Sequence, residues 1–233
     1  MKTELEQVLP AQIEKRSFEI ITEELGERVF VPGTEPIVKR CIHTSADFDY
    51  AENLVFSEKV VEKALGALRR GASIVTDTQM AKAGINKRKL AQYGGQVYCF
   101  MSDEDVAEAA RENGTTRAAA SMEKAAGLFQ RDHRHADTAD RPLNCQEVLG
   151  DEAPGLIFAI GNAPTALIRL YELIREGRLT PELIIGVPVG FVNVVQSKEM
   201  ILDLKDTPYI VARGRKGGSN IAACICNALL YMM

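Results

Sequence analysis

The run LIFAIGNAPTA, residues 156–166, joins five consecutive apolar residues to a glycine, an asparagine and a proline that opens a second apolar stretch. An unbroken apolar run of this length reads as a strand covered on both faces, and the turn residues behind it read as the entry to a helix. Asn162 is placed to cap that helix, with Pro164 in its first turn. Outward from this stretch the alternation repeats. ASIVT (72–76), QVYCF (96–100), LIIGV (183–187) and PYIVA (208–212) are β-rich runs with helical patterns between them. Strand and helix in regular alternation predict a doubly wound α/β fold, with a mostly parallel sheet and helices on both faces.

The intervening segments carry helix signals. SEKVVEKALGALRRG (57–71) offers Ser57 as an N-cap and Gly71 as a stop, and DEDVAEAAREN (103–113) places acids in its first turn. Ahead of residue 72 the pattern changes to two amphipathic helices, PAQIEKRSFEIITEELG (10–26) and PIVKRCIHTSAD (36–47), with the turn-rich VPGTEP (31–36) leading into the second. These form a helical N-terminal extension. The polar passage at 127–154 reads as a surface insertion, so residues 1–233 are expected to form one domain interrupted there.

Composition narrows the function classes. A net charge of −4 argues against nucleic acid as a partner, and no window supplies the roughly 18 apolar residues of a membrane span. The amino end, MKTELEQVLPAQIEK, holds three acids and a proline where a secretory signal would be apolar, which points to a cytoplasmic location. Cys41, Cys99, Cys145, Cys224 and Cys226 show no CxxC pair and are expected to be reduced packing residues.

In a parallel sheet the ligand crevice lies past the carboxyl ends of the strands. There the chain places Asp77-Thr78, GNAPTA, PVGFVN and RGRKGGSN. The last combines Arg213, Arg215 and Lys216 with Gly214, Gly217 and Gly218, and with Ser219 as a cap for the apolar helix that follows. Such a segment binds a carboxylate or phosphate, or is a solvated turn. Neither GxxxxGK[ST] nor a GxGxxG after the first strand is present. His133 and His135, with Asp132 and Asp137, lack a zinc spacing and read as a solvated loop. His43 is the histidine with informative neighbours. In a helix Lys39, Arg40 and Asp47 share its face, the cations and the acid pulling its proton affinity in opposite directions; the residue is then either a group able to exchange a proton near neutrality or a structural or solvated histidine.

Taken in order, I-x-x-x-S-F at 13–18, VKRCIHTSADFDY, TDTQMAKAGI, IGNAPTAL, GVPVGFVNVVQSKE, RGRKGGSNIA and the late NALL resemble the precorrin-8X methylmutase family, including its cobalt-precorrin-8 branch. The resemblance runs from about residue 11 to the end, and the 127–154 insertion departs from it. It implies an isomerase of corrin-ring biosynthesis that moves a methyl group from C-11 to C-12 of the macrocycle. His43 would be the catalytic acid, with Ser17 and Arg40 as substrate contacts. It implies no organic cofactor, with cobalt carried if at all by the substrate, and a homodimer or a dimer of such pairs. A tetrapyrrole fringed by carboxylates needs an apolar trench rimmed by cations, for which Lys15, Arg16, Arg40, Arg117, Arg213, Arg215 and Lys216 are candidates. Two other readings compete: a non-catalytic tetrapyrrole carrier, and an enzyme using RGRKGGSN as a phosphate loop.

Overall fold

The computed structural model describes residues 6–128 and 155–233. Residues 129–154 of the polar passage, with His133, His135, Asp132, Asp137 and Cys145, lie outside the described residues.

Six strands form one sheet: β1 (Leu54–Phe56), β2 (Ser73–Thr76), β3 (Val97–Tyr98), β4 (Leu156–Ile160), β5 (Leu183–Gly186) and β6 (Tyr209–Ala212). Their order is β1-β6-β5-β4-β2-β3, and every pair is parallel except β1 with β6. The helices of the first half are α1 (Ile13–Leu25), α2 (Glu35–Ser45), α3 (Tyr50–Asn53), α4 (Val60–Arg69), α5 (Gln79–Gly84) and α6 (Lys87–Ala91). Those of the second are α7 (Glu104–Glu112), α8 (Arg117–Leu128), α9 (Pro164–Arg175), α10 (Val194–Leu202) and α11 (Ser219–Tyr231).

Side chains leave a strand on alternate faces, and the sheet sorts them into two cores. Ile157 and Ala159 of β4, with Ile74, Ile185 and Ile210, pack against α1 to α6 and α11. Leu156, Phe158 and Ile160, with Val75, Ile184 and Val211, pack against α7 to α10. Every residue of β2, β4 and β5 is buried, which is why these strands show no polar alternation in the sequence. The doubly wound architecture is as expected from the alternation.

Four local expectations are corrected. Residues 96–100 pair over Val97–Tyr98 alone; the Thr76 hydroxyl donates to the Tyr98 carbonyl at 3.2 Å where the ladder ends, and Cys99 and Phe100 lie beyond it. Ser57 caps no helix: its hydroxyl accepts the Tyr209 amide at 2.9 Å, extending the edge of β1, and α4 starts three residues later. Asn162 makes no side-chain cap, because Asp77 takes that role from the end of β2. Ser219 lies inside α11, behind Gly218 at the N-cap, and its hydroxyl accepts from Thr78 Oγ1 at 2.8 Å.

Candidate active site

The turn residues after β2, β4, β5 and β6 converge on one rim of the sheet. Asp77, fully buried, accepts the amides of Gly161, Asn162 and Ala163 at 2.9, 2.8 and 2.6 Å, so one carboxylate binds the turn after β4 to the end of β2. Burial pushes the Asp77 carboxyl above its usual range, and the three amide donors oppose that without cancelling it. Glycine lets the neighbouring turns touch. A Cβ on Gly161 would lie 2.6 Å from Ser219 Cα, and one on Gly217 would lie 2.1 Å from Val187 O.

The segment 213–218 is held from beneath by Lys198 of α10, a residue with no exposed surface. Its ammonium donates to Gly214 O at 2.8 Å and to Lys216 O at 2.9 Å, and desolvation lowers its pKa to about 8. The Arg213, Arg215 and Lys216 side chains stay exposed. Arg213 Nε lies 3.4 Å from Glu199 Oε1, and the Arg215 guanidinium sits 5.3 Å above the Phe191 ring. Lys216 is bound at 2.6 Å to each of Asp47 and Asp49, which raises its pKa and lowers that of Asp47 through the hydrogen bond between them. Phe191 and Val192, 80% and 79% exposed, add an apolar surface beside these cations.

A second cluster lies on α1 and α2. Ile37, Val38, Cys41 and Ile42 recur at helical spacing and bury one face of α2, largely against α11, which leaves Arg40 and His43 outward. Thr44 meets Cys224 and Arg40 meets Tyr231, so the two helices run antiparallel and the end of α2 approaches the 213–218 loop. His43 is exposed, with Nδ1 at 2.8 Å from Ser17 Oγ and its ring stacked on Phe18 at 5.1 Å between centroids. The Arg40 guanidinium lies 5.3 Å from the Phe18 ring and 4.9 Å from Tyr231, with Glu14 at 3.3 Å. The four described cysteines, Cys41, Cys99, Cys224 and Cys226, are free and buried, in keeping with packing roles.

The expected face of Lys39, Arg40, His43 and Asp47 is only partly formed. α2 ends at Ser45 with Ala46 left-handed, so Asp47 leaves the helix and pairs with Lys216, while Lys39 pairs with Glu35 at 2.5 Å. Ser17, Arg40 and His43 do come together, and Arg213, Arg215 and Lys216 share a loop linked to them through Asp47. Arg117 stands in the other helix layer, at the first position of α8; its neighbour Thr116 has its hydroxyl 2.8 Å from Thr165 Oγ1 in the first turn of α9. Arg16 is held by Glu6 at 2.6 Å, and Lys15 lies 3.9 Å from Glu19. The sequence reading missed Lys198, Phe191 and Tyr231. Lys198 had a signal, since Val194, Ser197, Lys198 and Ile201 mark the buried stripe of α10.

Fold and site together define a doubly wound α/β protein with a serine-held histidine beside a cationic, partly apolar strand-end rim. The family model for precorrin-8X methylmutase matches residues 12–232, and the chain belongs to that family, an isomerase family. It is 42% identical to the cobalt-precorrin-8 methylmutase of Priestia megaterium over 95% of this chain and 88% of that protein. It is 34% identical to the precorrin-8X methylmutase of Pseudomonas aeruginosa, over 93% of each. The crystal structure of the precorrin-8X methylmutase from Thermus thermophilus superposes with a TM-score of 0.76 at 34% identity, covering 95% of this chain and 96% of that one.

Proposed function

We propose that this methylmutase moves the methyl group from C-11 to C-12 of a precorrin-8 macrocycle, with cobalt-precorrin-8 as the preferred form. The observation that carries this reading is the exposed His43 ring fixed through Nδ1 by Ser17. A hydroxyl both donates and accepts, so Ser17 serves the neutral and the protonated ring alike and leaves the Nε2 proton for the substrate. His43 lends its proton to the ring system to promote the shift and takes it back once the methyl has moved, so the isomerisation gains no proton overall. Arg40, Arg213 and Arg215 hold peripheral carboxylates, and Phe191 and Val192 meet the macrocycle's apolar face. Lys216 contributes by tying the cationic loop to Asp47 and Asp49, and Arg117 reaches a carboxylate from the far side of the rim. The reaction draws on no organic cofactor, and cobalt enters only as part of the substrate. Preference for the cobalt form is supported by the 42% identity to the Priestia megaterium cobalt-precorrin-8 enzyme, against 34% to the Pseudomonas aeruginosa precorrin-8X enzyme.

The flat ring needs more wall than one sheet's rim supplies, so the working form is a cytoplasmic homodimer with the trench near the subunit contact. Incubation with the metal-free and with the cobalt-containing precursor tests the function. A methyl on C-11 makes that carbon tetrahedral and interrupts conjugation, so turnover changes the visible spectrum. Faster change with the cobalt form is expected, and no change with either would overturn the reading. Sedimentation at assay concentration checks the dimer; full activity in a monomer would refute it.

A further inference from the structure

Lys198 is an odd residue for its place. It stands on the buried stripe of α10 beneath a loop that carries three cations, and among the described residues it makes no ion pair. Burying a charge without a carboxylate is costly, so an apolar side chain of the same length would suit the core better on packing grounds alone. What the ammonium does supply is two charge-assisted hydrogen bonds, to the carbonyls of Gly214 and Lys216. These carbonyls are two residues apart. The intervening Arg215 carbonyl instead accepts the Gly190 amide at 3.2 Å, so the backbone is gripped from both sides.

The consequence falls on the loop's side chains. With the Gly214 and Lys216 carbonyls drawn inward, Arg213, Arg215 and Lys216 are all presented outward at the strand-end rim. Without that grip, two carbonyls beneath the loop lose their donor, and the loop turns to find replacements in water.

We propose that Lys198 is a positioning residue for substrate binding, whose ammonium sets the 213–218 loop so that Arg213 and Arg215 face the substrate's carboxylates. This rests on the reading of those arginines as carboxylate contacts. Lys198 touches no reacting atom, so its loss acts on binding rather than on the methyl shift.

The test compares Lys198→Met, which keeps length but no donor, with Arg215→Ala, Arg213→Ala and the Lys198→Met/Arg215→Ala double variant, all as full chains. Lys198→Met is expected to raise KM about tenfold with kcat within about threefold of the parent, at an unchanged or higher melting temperature. The double variant is expected to raise KM by less than the product of the two single effects, because the Arg215 contact is lost in both. If Lys198→Met does not fold, Lys198→Gln takes its place; its shorter, uncharged donor keeps part of the grip, so a smaller rise in KM, about threefold, is expected. A raised KM in both arginine variants with an unchanged KM in the Lys198 variant would overturn the role of Lys198 alone. An unchanged KM in both arginine variants would overturn the loop as a carboxylate site, and this inference with it. A fall in kcat at constant KM would also overturn the inference, since it would place Lys198 in the chemical step.

Discussion

Ser17 Oγ on α1 lies 2.8 Å from His43 Nδ1 on α2, so the hydroxyl holds the orientation of the ring proposed as the acid. His43→Asn keeps a polar side chain but supplies no proton near neutral pH. General acid catalysis is worth about 10²- to 10⁴-fold, so kcat should fall by that factor while the tetrapyrrole still binds. Stopped-flow absorbance of the precursor separates the two effects. Near-parental turnover in this variant would make His43 structural. Ser17→Ala should be milder, at about five- to tenfold in kcat, since one hydrogen bond of about 1 kcal/mol orients the ring.

Arg40 is placed by stacking as well as by charge, lying over Phe18 and Tyr231 with Glu14 beside it. A guanidinium is planar and stacks on rings, whereas an ammonium is a compact, strongly hydrated charge. Arg40→Lys should therefore raise KM about five- to tenfold although the charge is kept. Tyr231→Leu should produce part of that effect. Equal KM in the parent and Arg40→Lys would show that the rings do not position this side chain.

What could be read from the sequence depended on whether a residue's partner was near in the chain. β2, β4 and β5 were legible because strands buried on both faces need continuous apolar runs, and α1 and α2 because amphipathic spacing is local. β1 was not, being three residues long and defined by antiparallel pairing with β6 more than 150 residues later. The caps failed for the same reason. Asn162 had the right residue type at the right place, but Asp77, 85 positions earlier, supplies two oxygens to three amides and outcompetes it. His43 was singled out by its charged neighbours and Ser17 by family motifs, and only the crossing of α1 and α2 shows that they bond. Asp47 was misplaced because an i+4 argument holds only while the helix continues, and α2 stops at Ser45.

Asp77 is the polar keystone between β2 and the turn into α9. Asp77→Asn keeps one acceptor oxygen but turns an N–H₂ toward amide donors, leaving at least one of them unpaired in a buried site. An unsatisfied buried donor costs about 1–3 kcal/mol and a charge-assisted bond about 1.5–3, so a loss of about 2–4 kcal/mol is expected. Urea denaturation reads this as a lower midpoint at unchanged slope. A midpoint equal to the parent's would mean that the turn holds itself.

The pKa of Lys198, lowered by burial to about 8 from an ordinary 10.5, ties stability and binding to pH with opposite signs. In the unfolded chain the ammonium is solvated and keeps its proton to higher pH. Between about 8 and 10.5 the unfolded state thus binds more protons than the folded one, and the Lys198 contribution to stability rises with pH. A shift of this size corresponds to at most about 3 to 4 kcal/mol across the window. Other groups titrate there too, so the quantity to measure is the parent's urea-derived stability minus that of Lys198→Met, at pH 7.5 and at pH 9.5. It should become more favourable to the parent at the higher pH. Over the same interval the neutral amine grips Gly214 O and Lys216 O less strongly than the ammonium does, so the parent's KM should rise while that of Lys198→Met stays flat. Together these separate a lysine that tunes the loop from one that merely fills space. A stability difference that does not change with pH would show that Lys198 keeps its ordinary proton affinity despite its burial.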